Sequence, residues 1–339
     1  MFYSDNTSAV HPRVLDAINR ANSDAFAASY GEDELSRRVR GELCETFGAG
    51  LAQFTATGTG ANVLGLFLGG ASRGRVLTSS IAHLRNDEAG APERSLGCQI
   101  QGIASETGIL TADMVRAVGR GDAYQAPLAV VVISQATEHG VCYSLSEIGD
   151  LADAAHAMGA RLHVDGARLA NACCGGGAMA NEYRELFAAG VDTLSFSGTK
   201  NGAMAAEVLL VAPGLCDQLA LERAARSLGN LQAKSRFVAA QFDALLEDDL
   251  WLENAAWANT LATRISVWLA AGGVEILYPT MANEVFARVG AETARALEKR
   301  HWASIWQGDD VVRLVTSWSS TFAQVKELLS FVEECRRGE

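Results

Sequence analysis

The chain has 339 residues, is 49% hydrophobic and 20% charged, and carries a formal net charge of -12, which suits one large and one smaller packed unit. The acidic balance and the lack of basic clusters leave a nucleic acid or an anionic membrane surface little to hold. The opening MFYSDNTSAV has no basic stretch leading into an apolar run, and no uncharged apolar stretch approaches a membrane span, so the expected location is the cytoplasm.

The first strong pattern is DELSRRVRGELCETF, in which Leu35, Val39, Leu43 and Phe47 recur every fourth residue; it predicts a helix covering one side of a core, with SRRVR on its wet face. FTATGTGANVLG (Phe54 to Gly65) then runs small residues from a strand into a helix. Backbone N–H groups at such a helix start favour a phosphate, although an ordinary tight loop reads the same way. A dinucleotide fingerprint fails, because Gly58 and Gly60 are followed by Val63 where close helix packing wants Gly or Ala, and there is no Walker A pattern.

Short β-branched runs at 75–79, 128–134, 160–164, 192–196 and 207–211 alternate with helical patterns such as LSEIGDLADAAHAMG, where Ile148, Leu151, Ala155 and Met158 share a face. Strands so continuously apolar are covered on both faces, which predicts an α/β fold with a mainly parallel central sheet. Within RLHVDGARLANA, Asp165 closes a strand at the edge where open α/β sheets bind ligands. It can hold a proton on a ligand nitrogen, or it can cap the next helix and pair with Arg168. The segment VDTLSFSGTKNGAMAAEVLLV carries one of only four lysines, Lys200, in a small-residue hinge between two apolar strands. It is either a solvated turn lysine or an amine desolvated towards its neutral, nucleophilic form.

After about residue 245 come longer helices, then EVFARV, a helix, VVRLVTS and a last helix from about 321. We expect a large unit at 1–245 and a small α/β unit at 246–339, with the first dozen residues folded against the latter. The Trp residues at 251, 257, 268, 302, 306 and 318 cluster there and read as packing residues. Seven scattered cysteines, never spaced C-x-x-C, read as reduced and mostly buried thiols, with no zinc site or disulfide framework; no metal is expected.

The conjunction of a phosphate loop, an acid at a strand end and a lysine one strand later is the set that pyridoxal 5'-phosphate requires. HVDGARLANA, SFSGTKNG, AHLRNDEAGAPE and VRLVTSW, in that family's order, resemble the low-specificity L-threonine aldolases among the fold-type I pyridoxal phosphate enzymes. The resemblance runs from YSDNTS to VRLVTSW. It implies that Lys200 carries the Schiff base, that Asp165 pairs with the pyridinium nitrogen, that Gly58 and Thr59 bind the phosphate and that His83 stacks on the ring. Arg168 would lie beside the cofactor, Arg313 and Ser4 would hold the substrate carboxylate, and Tyr30 matches an aromatic near the active site. Many members carry a second active-site histidine in a T-H-N-G turn; this chain has ATEHG, with Glu138 at that position and His139 one residue on, so that His83, Glu138 or a water is the candidate base.

The implied reaction is retro-aldol cleavage of L-threonine or L-allo-threonine to glycine and acetaldehyde in a homodimer or homotetramer. Arg226 and Lys234 are candidates to reach a neighbouring subunit's phosphate, or are simply solvated helix charges. Rival readings are an aldolase for phenylserine or another β-hydroxy amino acid, β-elimination or racemisation on the same cofactor, and a non-catalytic cofactor-binding protein.

Overall fold

The computed structural model describes residues 1–23, 26–72, 74–119, 121–174, 179 and 182–338. Seven strands form the main sheet: β1 Leu51–Thr55, β2 Arg75–Ser79, β3 Gln99–Ile103, β4 Leu128–Ser134, β5 Arg161–Gly166, β6 Thr193–Ser197 and β7 Glu207–Val211. Their order across the sheet is β1-β7-β6-β5-β4-β2-β3. The block from β6 through β3 is parallel, whereas β7 runs antiparallel to both β6 and β1. Every residue of β2, β6 and β7 is buried, as expected for strands covered on both faces.

One face is covered by the helices Glu34–Phe47, Leu145–Ala157 and Arg236–Leu246, whose apolar stripes enter the same core as β1, β4 and β6. The helix Glu34–Phe47 starts on Asp33, whose carboxylate accepts from Ser36 N–H (2.8 Å), and it buries Val39, Leu43 and Phe47 completely. On the opposite face lies the helix Gly58–Leu68, buried from Ala61 to Leu66. Its close approach to the sheet is made at Gly65, where an added Cβ would meet the His163 ring at 2.6 Å. Val63, which breaks the dinucleotide fingerprint, fills an apolar cluster with Leu66, Val76, Val130 and Val132.

Four antiparallel strands, β8 Glu275–Ile276, β9 Glu284–Arg288, β10 Ser304–Gln307 and β11 Val311–Val315, form a second sheet in the order β10-β11-β9-β8. It has its own core, in which Phe2 packs with Leu261, Ile265, Leu314 and Leu328. Phe2 is tied there by backbone bonds to Trp302 O (3.0 Å) and from Val315 N (2.8 Å). The long helix Leu250–Ala271 serves both cores: Leu250, Trp251 and Ala255 join the first, and Leu261, Ala262 and Ile265 the second. All seven cysteines are free thiols, three of them buried and four half-buried, and none of the described helices is long and apolar enough to cross a membrane.

Candidate active site

A cleft of about 450 Å³ opens at the carboxyl ends of β4, β5 and β6, a volume suited to a small-molecule ligand. The strand register brings Ser134, Asp165 and Ser195 into one row along that edge. From the sequence-predicted set, Ser4, Gly58, Thr59, His83, Glu138, Asp165, Arg168, Lys200 and Arg313 all line it.

Lys200 sits in the turn Thr199–Asn201 that follows β6. Among the described residues no side chain hydrogen-bonds to its amine. Burial lowers its pKa and Arg168 adds to the effect, while Asp5, Asp165 and Glu284 work the other way. The net shift is in the direction of the neutral, nucleophilic form.

Asp165 is buried at the end of β5. Its Oδ1 accepts from Ala167 N–H (3.1 Å) and its Oδ2 from Asn62 Nδ2 (2.9 Å). The local bond is the turn contact that the sequence allowed, but the alternative pairing with Arg168 does not form, because Arg168 turns to Asp5. Asn62 is the centre of a buried network: it also donates to Glu88 Oε1 (2.9 Å), and its own Oδ1 meets His163 Nε2 (3.1 Å). Burial lowers the His163 pKa, so this ring is neutral and serves to orient Asn62. Two carboxylates are thus held side by side by one amide.

Across from Asp165, Glu88 Oε1 meets His83 Nδ1 at 3.2 Å. That contact raises the His83 pKa; burial opposes it, and the charges of Asp165 and Glu88 add to the rise. Ligand atoms of His83, Glu88 and Asp165 lie within 4.8 Å of one another, but Asn62 and His83 already engage both carboxylates, so the trio reads as one wall of the cleft. Glu88→Gln keeps the acceptor for Asn62 and removes the charge. The His83 pKa is then expected to fall, as followed by NMR titration of its imidazole; an unchanged or higher value would count against this account.

Glu138 occupies the position where many members of the resembled family carry a histidine, with His139 one residue on. Its Oε1 accepts from His83 N–H (2.7 Å) and Ser134 Oγ (2.8 Å), and burial raises its pKa. His139 faces away, stacked on Tyr278 at 4.1 Å with Nδ1 on Glu106 O at 2.7 Å. Only Glu138 of the two reaches the cleft.

The helix Gly58–Leu68 points its N-terminus into the same space. Thr57 Oγ1 takes Gly60 N–H (2.9 Å) and Thr57 O takes Ala61 N–H (3.0 Å), which leaves the Gly58 and Thr59 amides for a ligand. Asn230 clamps this turn by donating to Gly60 O (3.0 Å), an approach that a side chain at Gly60 would block.

On the far wall Arg168 forms a two-pronged pair with Asp5, at 2.9 and 3.1 Å. Burial works against its charge, but Asp5 and Glu284 prevail and hold its pKa above the usual guanidinium value. Glu284 is fully buried between Arg168 (3.6 Å) and Arg313 (3.9 Å). Arg313 lies over the Trp306 ring at 4.5 Å, and its buried Nε has no acceptor among the described residues. An unpaired guanidinium donor beside a cleft is a site for a carboxylate.

Tyr30, Arg226 and Lys234 lie outside this cleft. The Arg226 guanidinium sits over the Tyr30 ring at 5.0 Å, Tyr30 N–H bonds to Ala233 O (2.9 Å), and all three side chains are exposed.

The chain matches the beta-eliminating lyase family over residues 2–292. It is 35% identical over 335 residues to the low specificity L-threonine aldolase of a Pseudomonas species, covering 96% of this chain and 95% of that protein. The chain belongs to the low-specificity L-threonine aldolase family. A second relative, from Pseudomonas aeruginosa, is 34% identical over 96% of this chain and 95% of its own length. Among solved structures, the threonine aldolase of Leishmania major superposes with a TM-score of 0.88 at 25% identity, covering 99% of this chain and 98% of that one. The fold is therefore that of the fold-type I pyridoxal phosphate enzymes, and the chain is a lyase.

Sequence reasoning passed over Asn62, Glu88, Glu207, Trp306, Asp5 and Glu284. Asn62 and Glu88 carried a faint signal, since each stands a few residues from a named candidate. Trp306 was read as packing, yet it lines the cleft.

Proposed function

We propose that the protein cleaves L-threonine and L-allo-threonine to glycine and acetaldehyde with pyridoxal 5'-phosphate, working as a cytoplasmic homo-oligomer. The observation that carries this reading is a single cleft onto which a desolvated amine, a strand-end carboxylate and two free helix-start amides all open. It does so in a chain 35% identical to a low-specificity L-threonine aldolase over almost its whole length.

The residues present fit the cofactor. Lys200 would be the amine for covalent attachment, Gly58 and Thr59 would offer N–H groups to the phosphate, Asp165 would offer a carboxylate to a ring N–H, and His83 would flank the ring. When bound, pyridoxal phosphate supplies an electron sink for the pair released as a bond to the substrate α-carbon breaks. Asp165, fixed by Asn62 and the Ala167 amide, keeps its charge in place without rearranging during turnover. Arg313, backed by Trp306 and Glu284, takes the substrate carboxylate, and Ser4 and Arg168 bound the same wall; holding that group selects which α-carbon bond faces the cofactor. Glu138 and His83 are the groups that can take the β-hydroxyl proton, joined through the His83 amide.

The residues 1–245 would carry this chemistry, with 246–339 contributing Arg313 and Trp306 to the wall. The exposed cluster of Tyr30, Arg226 and Lys234 would meet a neighbouring subunit in the oligomer.

Arg313→Lys keeps the charge but loses the fork. KM for threonine is expected to rise about tenfold or more, with a smaller change in kcat, measured by steady-state kinetics; an unchanged KM would remove Arg313 from the carboxylate site. The function itself is tested by products from a panel of β-hydroxy amino acids. Equal amounts of glycine and aldehyde support the reading, whereas ammonia with a keto acid, or an inverted α-carbon, would assign the cleft to elimination or racemisation.

A further inference from the structure

Glu207 is the first residue of β7, paired in register with Thr55 of β1 on one side and Ser197 of β6 on the other. Its carboxyl is buried yet borders the cleft. Oε1 accepts from two hydroxyls, Ser197 Oγ at 2.9 Å and Thr199 Oγ1. Oε2 takes no hydrogen bond from the described residues and lies 3.7 Å from where a Cβ on Gly58 would stand. This oxygen therefore faces the same cup as the free amides of the helix start. A carboxylate oxygen and a phosphate oxygen in one dry cup repel each other, whereas a carboxylic acid there donates to the phosphate.

We propose that Glu207 is a phosphate-contacting residue that acts in its protonated form, its Oε2–H donating to the cofactor phosphate, so that ionisation of this one side chain loosens cofactor binding. The proposal rests on the reading of the cleft as a pyridoxal phosphate site. The proton comes from solvent and is lost to solvent when the pH rises.

The surroundings support it. Burial pushes the Glu207 pKa up to about 7; hydrogen bonds from Thr199 and Ser197 and the charge of Lys200 pull it down, and Asp165 raises it further. Around the carboxyl, the turn after β6 contributes Lys200 and β5 contributes Asp165. Thr55, paired with Glu207 across the strands, and Gly58, which Oε2 approaches, carry no charge. A phosphate dianion in the cup would favour the protonated form more strongly still. Affinity should thus be full below neutrality and fall as the pH rises through and above the carboxyl's pKa.

The experiment compares dissociation constants for pyridoxal phosphate and pyridoxal, read from the Schiff-base absorbance, between about pH 7 and about pH 9, where a free phosphate monoester is already dianionic. Titration of Lys200 affects both ligands and cancels in their ratio. In the natural protein the preference for the phosphorylated ligand should fall with pH, by up to about tenfold per unit for one linked proton. Glu207→Gln keeps an acceptor for Ser197 and Thr199 and a permanent donor for the phosphate, so its preference should stay level. A level preference in the natural protein, or the same slope in E207Q, would overturn the proposal. If E207Q does not fold, the slope in the natural protein decides alone. If the natural protein forms no Schiff base with either ligand, the reading of the cleft fails and the proposal with it.

Discussion

Lys200→Ala is expected to abolish both turnover and the covalent hold on the cofactor. Activity should drop by about 10³-fold or more, because the amine is a covalent participant and not one of several interchangeable contacts. The test has little room for ambiguity, since the chain has only three other lysines, Lys234, Lys299 and Lys326, and all are exposed. Borohydride reduction of the natural holoprotein followed by peptide mapping should put the pyridoxyl group on the peptide that contains Lys200. A label on one of the surface lysines, or a K200A protein active to within tenfold of the natural one, would contradict the assignment. The far-ultraviolet spectrum of the variant should match the natural protein, because the amine makes no hydrogen bond that the fold depends on.

Asp165→Asn separates charge from shape. Asparagine has one acceptor where the carboxylate has two, so it keeps the Ala167 contact but turns an NH2 towards the Asn62 amide; neither bond involves Lys200, so the cofactor should still attach there and give its visible band. What goes is the negative charge that keeps a ring N–H protonated. A preorganised charge of this kind is typically worth about 10²–10³ in rate. The expected result is therefore a holoprotein that forms normally and turns over about 10²–10³ more slowly. A loss under tenfold would contradict the role given to the charge, and a failure to attach the cofactor would mean that the carboxylate shapes the pocket.

Much of this site was legible in the sequence because its elements are local. Lys200 and Asp165 stand at strand ends whose apolar runs define them, and Gly58 and Thr59 open a helix whose small residues announce it. The core helices followed from periodicity, as in Val39, Leu43 and Phe47. What could not be read were partnerships between distant positions. Arg168 was close in sequence to Asp165, yet its partner is Asp5, which is delivered by an N-terminal turn far away in the chain. Glu284 and Arg313 meet only because β9 and β11 are neighbours in the second sheet. Glu207 looked like the polar start of an apolar strand; its place at the cleft beside Gly58 depends on β7 running antiparallel between β1 and β6, a reversal that apolar runs do not encode. The weak strands β3, β8 and β10 escaped for a related reason, since half-exposed or very short segments lack the hydrophobic contrast that identifies a strand.

The central claim, that this cleft breaks the bond between the α- and β-carbons of threonine, is tested most directly by measuring acetaldehyde and glycine released from L-threonine and L-allo-threonine by the natural protein supplied with pyridoxal phosphate. The account predicts that both products appear in equal amounts from at least one diastereomer. No acetaldehyde from either, in a protein whose Schiff-base band is visible, would contradict it.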